Sequence, residues 1–431
     1  MRRTSGSLLS TILLERLFIN PYIASPFYLV FKNMTTVVRF TACAAIAVNC
    51  LLGLAGSPLG ARLAVAQAPH DEALHDEKPS LPVEPQTAEF KEATEAFREH
   101  LKKMREVMVH YNTTPPGPQD REMRSEWFNY LREGVPLYHR LLGAAVAEYQ
   151  LESTEKAPLA QMLWEILKAN AEIDRYEGLL PVAQALLASD FEETDLRDLA
   201  VRTAFALNEY AVMRQLVTES IDESIADPQK QGLSEQFDEL DATWAEELAA
   251  REQDAQGPPL PRVLMHTTKG DIEIELFENQ APESVANFIS LVESGFYNGL
   301  IFHRVIEQFM AQTGCPVGDG SSGPGYTIHG EAHKPGARKY FRGTLGMALS
   351  GHPDSGGSQF FITFLPRPDL NGKYTAFGRV TAGIDVLSDL VRVDPDSKDE
   401  EKKKPAQMLD EIVSIEVLSK RDHDYQPNKV Q

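Results

Sequence analysis

A chain of 431 residues exceeds what one hydrophobic core commonly organises, so about two or three domains are expected. A formal net charge of −21 argues against nucleic acid as a partner, because phosphate binding needs clustered Lys and Arg. The first 68 residues carry six basic side chains and one acidic one, so the rest holds about −26, mostly between residues 69 and 261, which reads as a soluble, self-repelling surface.

Residues 40–55 form an apolar run of sixteen, preceded by Arg39 and followed by Ala66-Gln67-Ala68 before Pro69. That order is the n-region, h-region and cleavage site of a secretory signal peptide. A spanning helix wants about 20 apolar residues, so the run is short for a permanent anchor. Residues 1–33 fit badly in front of it, and Met34 is the expected start. Residues 1–68 are therefore read as an N-terminal extension and signal peptide, and the protein as exported, to the periplasm, the cell envelope or the medium. It is membrane-tethered only if this segment stays uncleaved. Cys43 and Cys50 lie within the run, which leaves Cys315 alone in the mature chain and no intrachain disulfide expected. Cys315 has no His or Lys beside it in sequence, so a structural role is expected rather than a reactive thiol.

Residues 69–87 are polar and proline-rich and read as a linker. His70, Asp71, Glu72, His75, Asp76 and Glu77 lack the spacing of a metal site, and none is expected.

Residues 88–252 read as a helical domain. Phe90, Phe97, Leu101, Met104 and Met108 make the first stripe, and Thr113 to Pro118 break it. Helical periodicity returns over 122–149, 157–170, 175–188, 194–218 and 232–252, with Pro181 at a first turn or kink and punctuation at Asp190 and Asn208-Glu209. The short paired segments faintly match a repeat array, without a clean period. Trp127, Trp164 and Trp244 are read as core or groove anchors. A scaffold that binds another protein and plain packing both remain open for this region. Residues 253–261, with Gly257-Pro258-Pro259, read as a second linker.

After residue 261 the pattern changes to strands. Val263 and Met265 alternate before Lys269-Gly270-Asp271, and Ile272, Ile274 and Leu276 alternate after it, which predicts a β-hairpin. Pro282 opens a helix whose stripe is Val285, Phe288, Ile289 and Val292, closed by Gly295. A second short helix is expected near Ile384–Val391 and a last strand over Ile412–Leu418, with the charged run Asp394–Lys404 as a solvated loop. Many short strands with glycine-rich turns and two helices point to a barrel with helical ends. Residues 422–431 read as a tail.

The most informative segments are residues 302–312, with Phe302-His303-Arg304 and Phe309-Met310-Ala311-Gln312, and Ser358-Gln359-Phe360-Phe361; Leu370-Asn371-Gly372-Lys373-Tyr374 follows them in the chain. They bring together an arginine, glutamines and large apolar side chains, with no nucleophile–base pair and no metal-ligand cluster. Such a set can bind an apolar ring and polarise an amide. Gly314–Gly325 is glycine-rich but lacks the Gly-Lys-Ser/Thr ending of a phosphate-cradling loop.

In this order, with Met347-Ala348 and Phe377-Gly378, the segments resemble cyclophilin-type peptidyl-prolyl cis/trans isomerases of the bacterial kind. The resemblance covers residues 262–421. It implies a closed eight-stranded antiparallel barrel capped by two helices; with the helical reading of residues 88–252, the expectation is a multidomain chain in which an all-α region precedes this C-terminal, all-β-dominated barrel. No cofactor and no metal are expected, because the residues include no metal-ligand cluster and no phosphate-cradling loop. By resemblance Arg304, Phe309 and Gln312 are catalytic, Arg304 being the guanidinium that stabilises the twisted amide. Met310, Phe361 and Leu370 join Phe309 around the proline ring. Ala348, Leu349 and Gln359 line the flanking groove, Tyr374 stands where many relatives have His, and His303 is structural. Two departures are visible. Asp369 stands where the best-known members have Trp, which predicts weak cyclosporin binding, and Leu349 stands where many have Asn. The expected function is an exported isomerase acting on proline-containing peptides of unfolded or envelope proteins. The alternative is a proline-peptide binding module or chaperone with weak activity, docked through the helical domain.

Overall fold

The computed structural model describes residues 83–113, 120–151, 156–189, 191–220, 227–399 and 402–430. The export signal, the start at Met34 and the His70–Glu77 cluster lie outside the described residues. Contacts divide the chain between Ala200 and Val201. No helix among the described residues is long and apolar enough to cross a membrane.

The unit before Val201 is helical: α1 (Ala88–Thr113), α2 (Asp120–Tyr149), α3 (Lys156–Glu172), α4 (Leu180–Leu187) and the start of α5 (Leu196–Ala206). The stripe of α1 is buried through Phe90, Phe97 and Met104, and Phe97 meets Tyr138 of α2 at 6.0 Å between centroids. The start of α1 is fixed by charge as well as packing. The Glu148 carboxylate, wholly buried, accepts from the Gln86 and Thr87 amides and the Thr87 hydroxyl at 2.7–3.1 Å. An anion there satisfies donors that a helix start leaves without partners. The helix expected over 175–188 begins only at Leu180, because Asp174 and Gly178 take positive φ (61° and 77°) in the turn before it; Pro181 stands in its first turn. Trp127 and Trp164 are buried, as anchors should be.

The unit from Val201 completes α5 and adds α6 (Tyr210–Ser220) and α7 (Asp227–Gln256) before the sheet. The helix expected over 194–218 is broken at Asn208, whose φ of 61° asparagine tolerates better than most residues. Helix α7 runs through the first half of the expected 253–261 linker and docks on the sheet body. Arg338 donates from Nε and Nη2 to Glu247 at 2.8 Å each and from Nη1 to Asp254 at 2.6 Å. Its side chain is 2 % exposed and lies 4.1 Å from the Phe277 ring. Trp244 meets Phe341 edge-on at 4.8 Å. The rest of the linker is also held, since Leu260 is buried and Arg421 donates to the carbonyls of Pro258 and Pro259.

The sheet has nine antiparallel strands: β1 (Arg262–Thr267), β2 (Gly270–Leu276), β3 (Leu300–Ile301), β4 (Arg304–Ile306), β5 (Met310–Thr313), β6 (Thr344–Met347), β7 (Phe360–Thr363), β8 (Ala376–Ala382) and β9 (Glu411–Ser419). Their order is β3-β9-β1-β2-β8-β6-β7-β5-β4. The closed eight-stranded barrel is thereby corrected to an open, curled sheet. Its edge strands β3 and β4 follow one another in sequence, with only Phe302 and His303 between them, yet they do not pair. The outer edge of β4 is already occupied, because Val305 exchanges both backbone bonds with Val393 at 2.7 and 3.0 Å. Thr313 donates its hydroxyl to the Ile301 carbonyl at 2.9 Å, so a side chain replaces part of the missing ladder.

Two helices accompany the sheet, α8 (Pro282–Glu293) and the five-residue α9 (Ile384–Ser388). Helix α8 buries Val285, Phe288, Ile289 and Val292, with Phe288 against Phe360 at 5.3 Å and Phe377 at 5.5 Å. Its N-cap, Ala281, offers no side-chain acceptor. The buried carboxylate of Glu331 substitutes, accepting from the Glu283 and Ser284 amides at 3.0 and 2.9 Å. Residues 422–430, expected as a tail, are docked. Tyr425 is buried and donates to Glu278 at 2.9 Å, and the Val430 amide donates to the Thr327 carbonyl at 2.8 Å.

Candidate active site

Strands β4, β5, β7 and β6 carry the site on the face turned away from the core. Register explains the sorting. Val305, Ala311, Ile362 and Leu345 stand opposite one another across the four strands and enter the main core. One residue along, Arg304 pairs with Gln312, Gln312 with Phe361, and Phe361 with Gly346. Because side chains alternate along a strand, this second row faces the other way. The adjacent Phe360 and Phe361 therefore separate, Phe360 to the core and Phe361 to the outer face.

On that face Met310, Tyr340, Phe361, Leu370 and Ala376 form a second apolar cluster, with Ile306, Phe309, Ala348 and Tyr374 packed around it. Phe361 stacks on Tyr340 at 5.7 Å and 16°, and Tyr374 meets it edge-on at 5.8 Å. Gly346 is required beneath them, since a Cβ there would lie 2.3 Å from the Phe361 ring and 2.5 Å from the Tyr340 oxygen.

The polar side is fixed by a chain of amides. Gln312 donates to Gln359 at 3.0 Å, and Gln359 donates to the Gly320 and Ser322 carbonyls at 2.8 Å each. The loop carrying those carbonyls approaches β7 closely at Gly314, where φ is +86° and a Cβ would sit 2.2 Å from the Ser358 oxygen. Arg304 is 26 % exposed, its guanidinium carbon 5.8 Å from the Phe309 ring centre. Its Nε is buried without a hydrogen-bond partner among the described residues, and the nearest carboxylate, Asp396 in the charged loop, is 3.8 Å away. A cation so placed keeps donor capacity for an incoming group. Burial holds the neighbouring His303 imidazole below its ordinary pKa, and the charge of Arg304 acts the same way.

Of the ten residues singled out in sequence, Arg304, Phe309, Met310, Gln312, Ala348, Gln359, Phe361, Leu370 and Tyr374 come together on this face. Leu349 instead packs against the main core cluster. Tyr340 and Arg367, which the sequence reading did not single out, adjoin this cluster, Tyr340 stacked on Phe361 and Arg367 over the Phe309 ring. Cys315 is buried, which raises its pKa, while the Ser322 hydroxyl and the amides of Ser322, Asp319 and Gly318 lower it, to about 7. Among the described residues no group of three or more His, Cys, Asp or Glu could hold a metal ion.

Residues 262–417 match the family described as cyclophilin type peptidyl-prolyl cis-trans isomerase/CLD. A peptidyl-prolyl cis-trans isomerase of Helicobacter pylori (strain ATCC 700392 / 26695) is 50 % identical over 131 residues, which covers 30 % of this chain and 78 % of the relative. The chain belongs to the cyclophilin-type peptidyl-prolyl cis-trans isomerase family. Peptidyl-prolyl cis-trans isomerase B of Bacillus subtilis (strain 168) is likewise 50 % identical over 119 residues, 28 % of this chain and 82 % of the relative. A cyclophilin-type isomerase of Cryptosporidium parvum, crystallised in the presence of the dipeptide Ala-Pro, is 35 % identical, with a TM-score of 0.33, covering 37 % of this chain and 99 % of its own. The cyclophilin domain makes this protein an isomerase of X-Pro peptide bonds.

Proposed function

We propose that the cyclophilin domain acts on proline-containing segments of exported proteins, with Arg304 as the group that lowers the barrier. Rotation about an X-Pro bond is opposed by about 18–20 kcal/mol of amide resonance, and uncatalysed exchange takes tens to hundreds of seconds. No bond breaks, so the catalyst must favour the twisted amide over both planar forms. On twisting, the prolyl nitrogen regains a lone pair and the carbonyl loses conjugation. A guanidinium aimed at either stabilises that state and needs no proton transfer, because arginine stays charged. Phe309, Met310, Phe361 and Leu370 hold the proline ring; Gln312 and Gln359 hold the flanking backbone; Ala348 and Tyr374 border the groove.

The single observation that carries this reading is the cross-strand row Arg304–Gln312–Phe361, which sets a cation and an aromatic wall on one rigid face. The test is isomerisation of a proline peptide by the chain and by its Arg304→Ala variant. A loss of rate supports catalysis at Arg304, and equal near-background rates would favour a binding module. Export rests on the signal-like order of residues 39–68. N-terminal sequencing of the mature protein checks it, with a start after Ala68 expected. Cyclosporin should bind weakly, because Asp369 in place of an aromatic removes a packing surface, and Asp369→Trp should strengthen it.

A further inference from the structure

Phe309 is flanked by two guanidiniums. The Arg304 carbon lies 5.8 Å from its ring centre and the Arg367 carbon 4.0 Å. At the shorter distance a guanidinium over the ring is in cation–π contact. The Arg367 side chain is 16 % exposed, so that contact is largely shielded from water. Arg367 is also the better held of the two. Its Nε and Nη2 donate to the two Asp369 oxygens at 2.7 Å each, across a single turn of 3₁₀ helix (Pro368–Leu370). Its amide donates to the Tyr340 carbonyl at 2.9 Å, and its carbonyl accepts from the Leu370 amide at 3.0 Å. Tyr340 in turn stacks on Phe361. One arginine thus ties the Phe309 wall to the Tyr340–Phe361 wall.

We propose that Arg367, pinned by Asp369, is a positioning residue of the isomerase site that fixes the Phe309 ring as a wall of the proline socket. The inference rests on the reading of Phe309 as a socket wall. Its kinetic signature differs from that of Arg304. The proline ring occupies the socket in the cis, trans and twisted states alike, so a displaced wall weakens all three and raises KM with little change in kcat. Arg304 acts on the twisted state, so its loss lowers kcat.

The test measures kcat and KM for a proline peptide with the full chain carrying Arg367→Ala, Arg367→Lys or Asp369→Asn, with Arg304→Ala beside them. Arg367→Ala should raise KM about tenfold and leave kcat within about twofold. Lysine can form neither the bidentate pair nor the planar stack, so Arg367→Lys should recover less than half of that loss. Asp369→Asn frees the fork without removing it and should raise KM about threefold. In a Phe309→Leu background, Arg367→Ala should add nothing further, which a merely structural role would not produce. Unchanged KM in Arg367→Ala and Asp369→Asn, with kcat lost in Arg304→Ala, would overturn this inference alone. Unchanged kinetics in Arg304→Ala would instead remove the reading of the site beneath it. If Arg367→Ala fails to fold, Asp369→Asn decides, since its side chain is 39 % exposed.

Discussion

The corner around Arg338 and the face around Arg304 use the same side chain in opposite conditions. Arg338 is 2 % exposed and spends three nitrogens on two carboxylates of α7. Arg304 is 26 % exposed, has no hydrogen bond from its Nε among the described residues, and reaches a carboxylate only at 3.8 Å. A saturated buried arginine locks two elements together and has nothing left to offer a ligand. An arginine fixed by its strand but short of partners keeps its donors free. Of the two, Arg304 is the one with donor capacity left for a ligand.

The contrast breaks most sharply at Arg338. Arg338→Met leaves Glu247 and Asp254 buried without their principal partner and should cost about 3–5 kcal/mol of stability, read by chemical denaturation. Arg304→Ala should leave the denaturation midpoint nearly unmoved. Gly346→Ala should come next. Its methyl must displace the Phe361 and Tyr340 rings, at about 1–3 kcal/mol, with KM for a proline peptide raised in the same variant. Glu331→Gln, which removes the anion at the start of α8, should cost about 1 kcal/mol, again by denaturation.

A smaller effect is set by pH, and two histidines give it opposite signs. His303 has a folded pKa below its unfolded one, so its contribution is present above about pH 6.5 and is lost as pH falls. His423 is raised by its hydrogen bond to Glu278, so its contribution is present below that pH and fades as pH rises through the raised value. Denaturation midpoints against pH should show His303→Gln flattening the acid limb and His423→Gln the neutral limb. A common sign for the two would contradict the assignments. The smallest effect belongs to Arg140, whose exposed pairs with Glu89 and Glu92 should be lost in Arg140→Ala without a detectable change in midpoint.

Much of the site was legible because its residues sit in short ordered segments whose alternation fixes the facing side. Phe360 and Phe361, side by side, must part to opposite faces of any strand. The β1–β2 hairpin and helix α8 followed from period-two alternation and from Pro282. The openness of the sheet was not legible, because it depends on Val393 taking the edge of β4, a pairing between residues far apart in sequence. Tyr340 reaches the site from an irregular segment with no periodic signal. Asp369 was noticed as a departure, but its grip on Arg367, and that of Arg367 on Phe309, needs the path of the turn. Periodicity marked α7 as helical and gave no sign that its last turns serve the sheet body.

The rate at which a proline peptide exchanges between cis and trans, followed by NMR with the chain and with Arg304→Ala at matched stability, bears most directly on the central claim. Loss of the guanidinium should lower kcat/KM by about 10²- to 10³-fold, with the change in kcat. Equal exchange rates in the two proteins would contradict it.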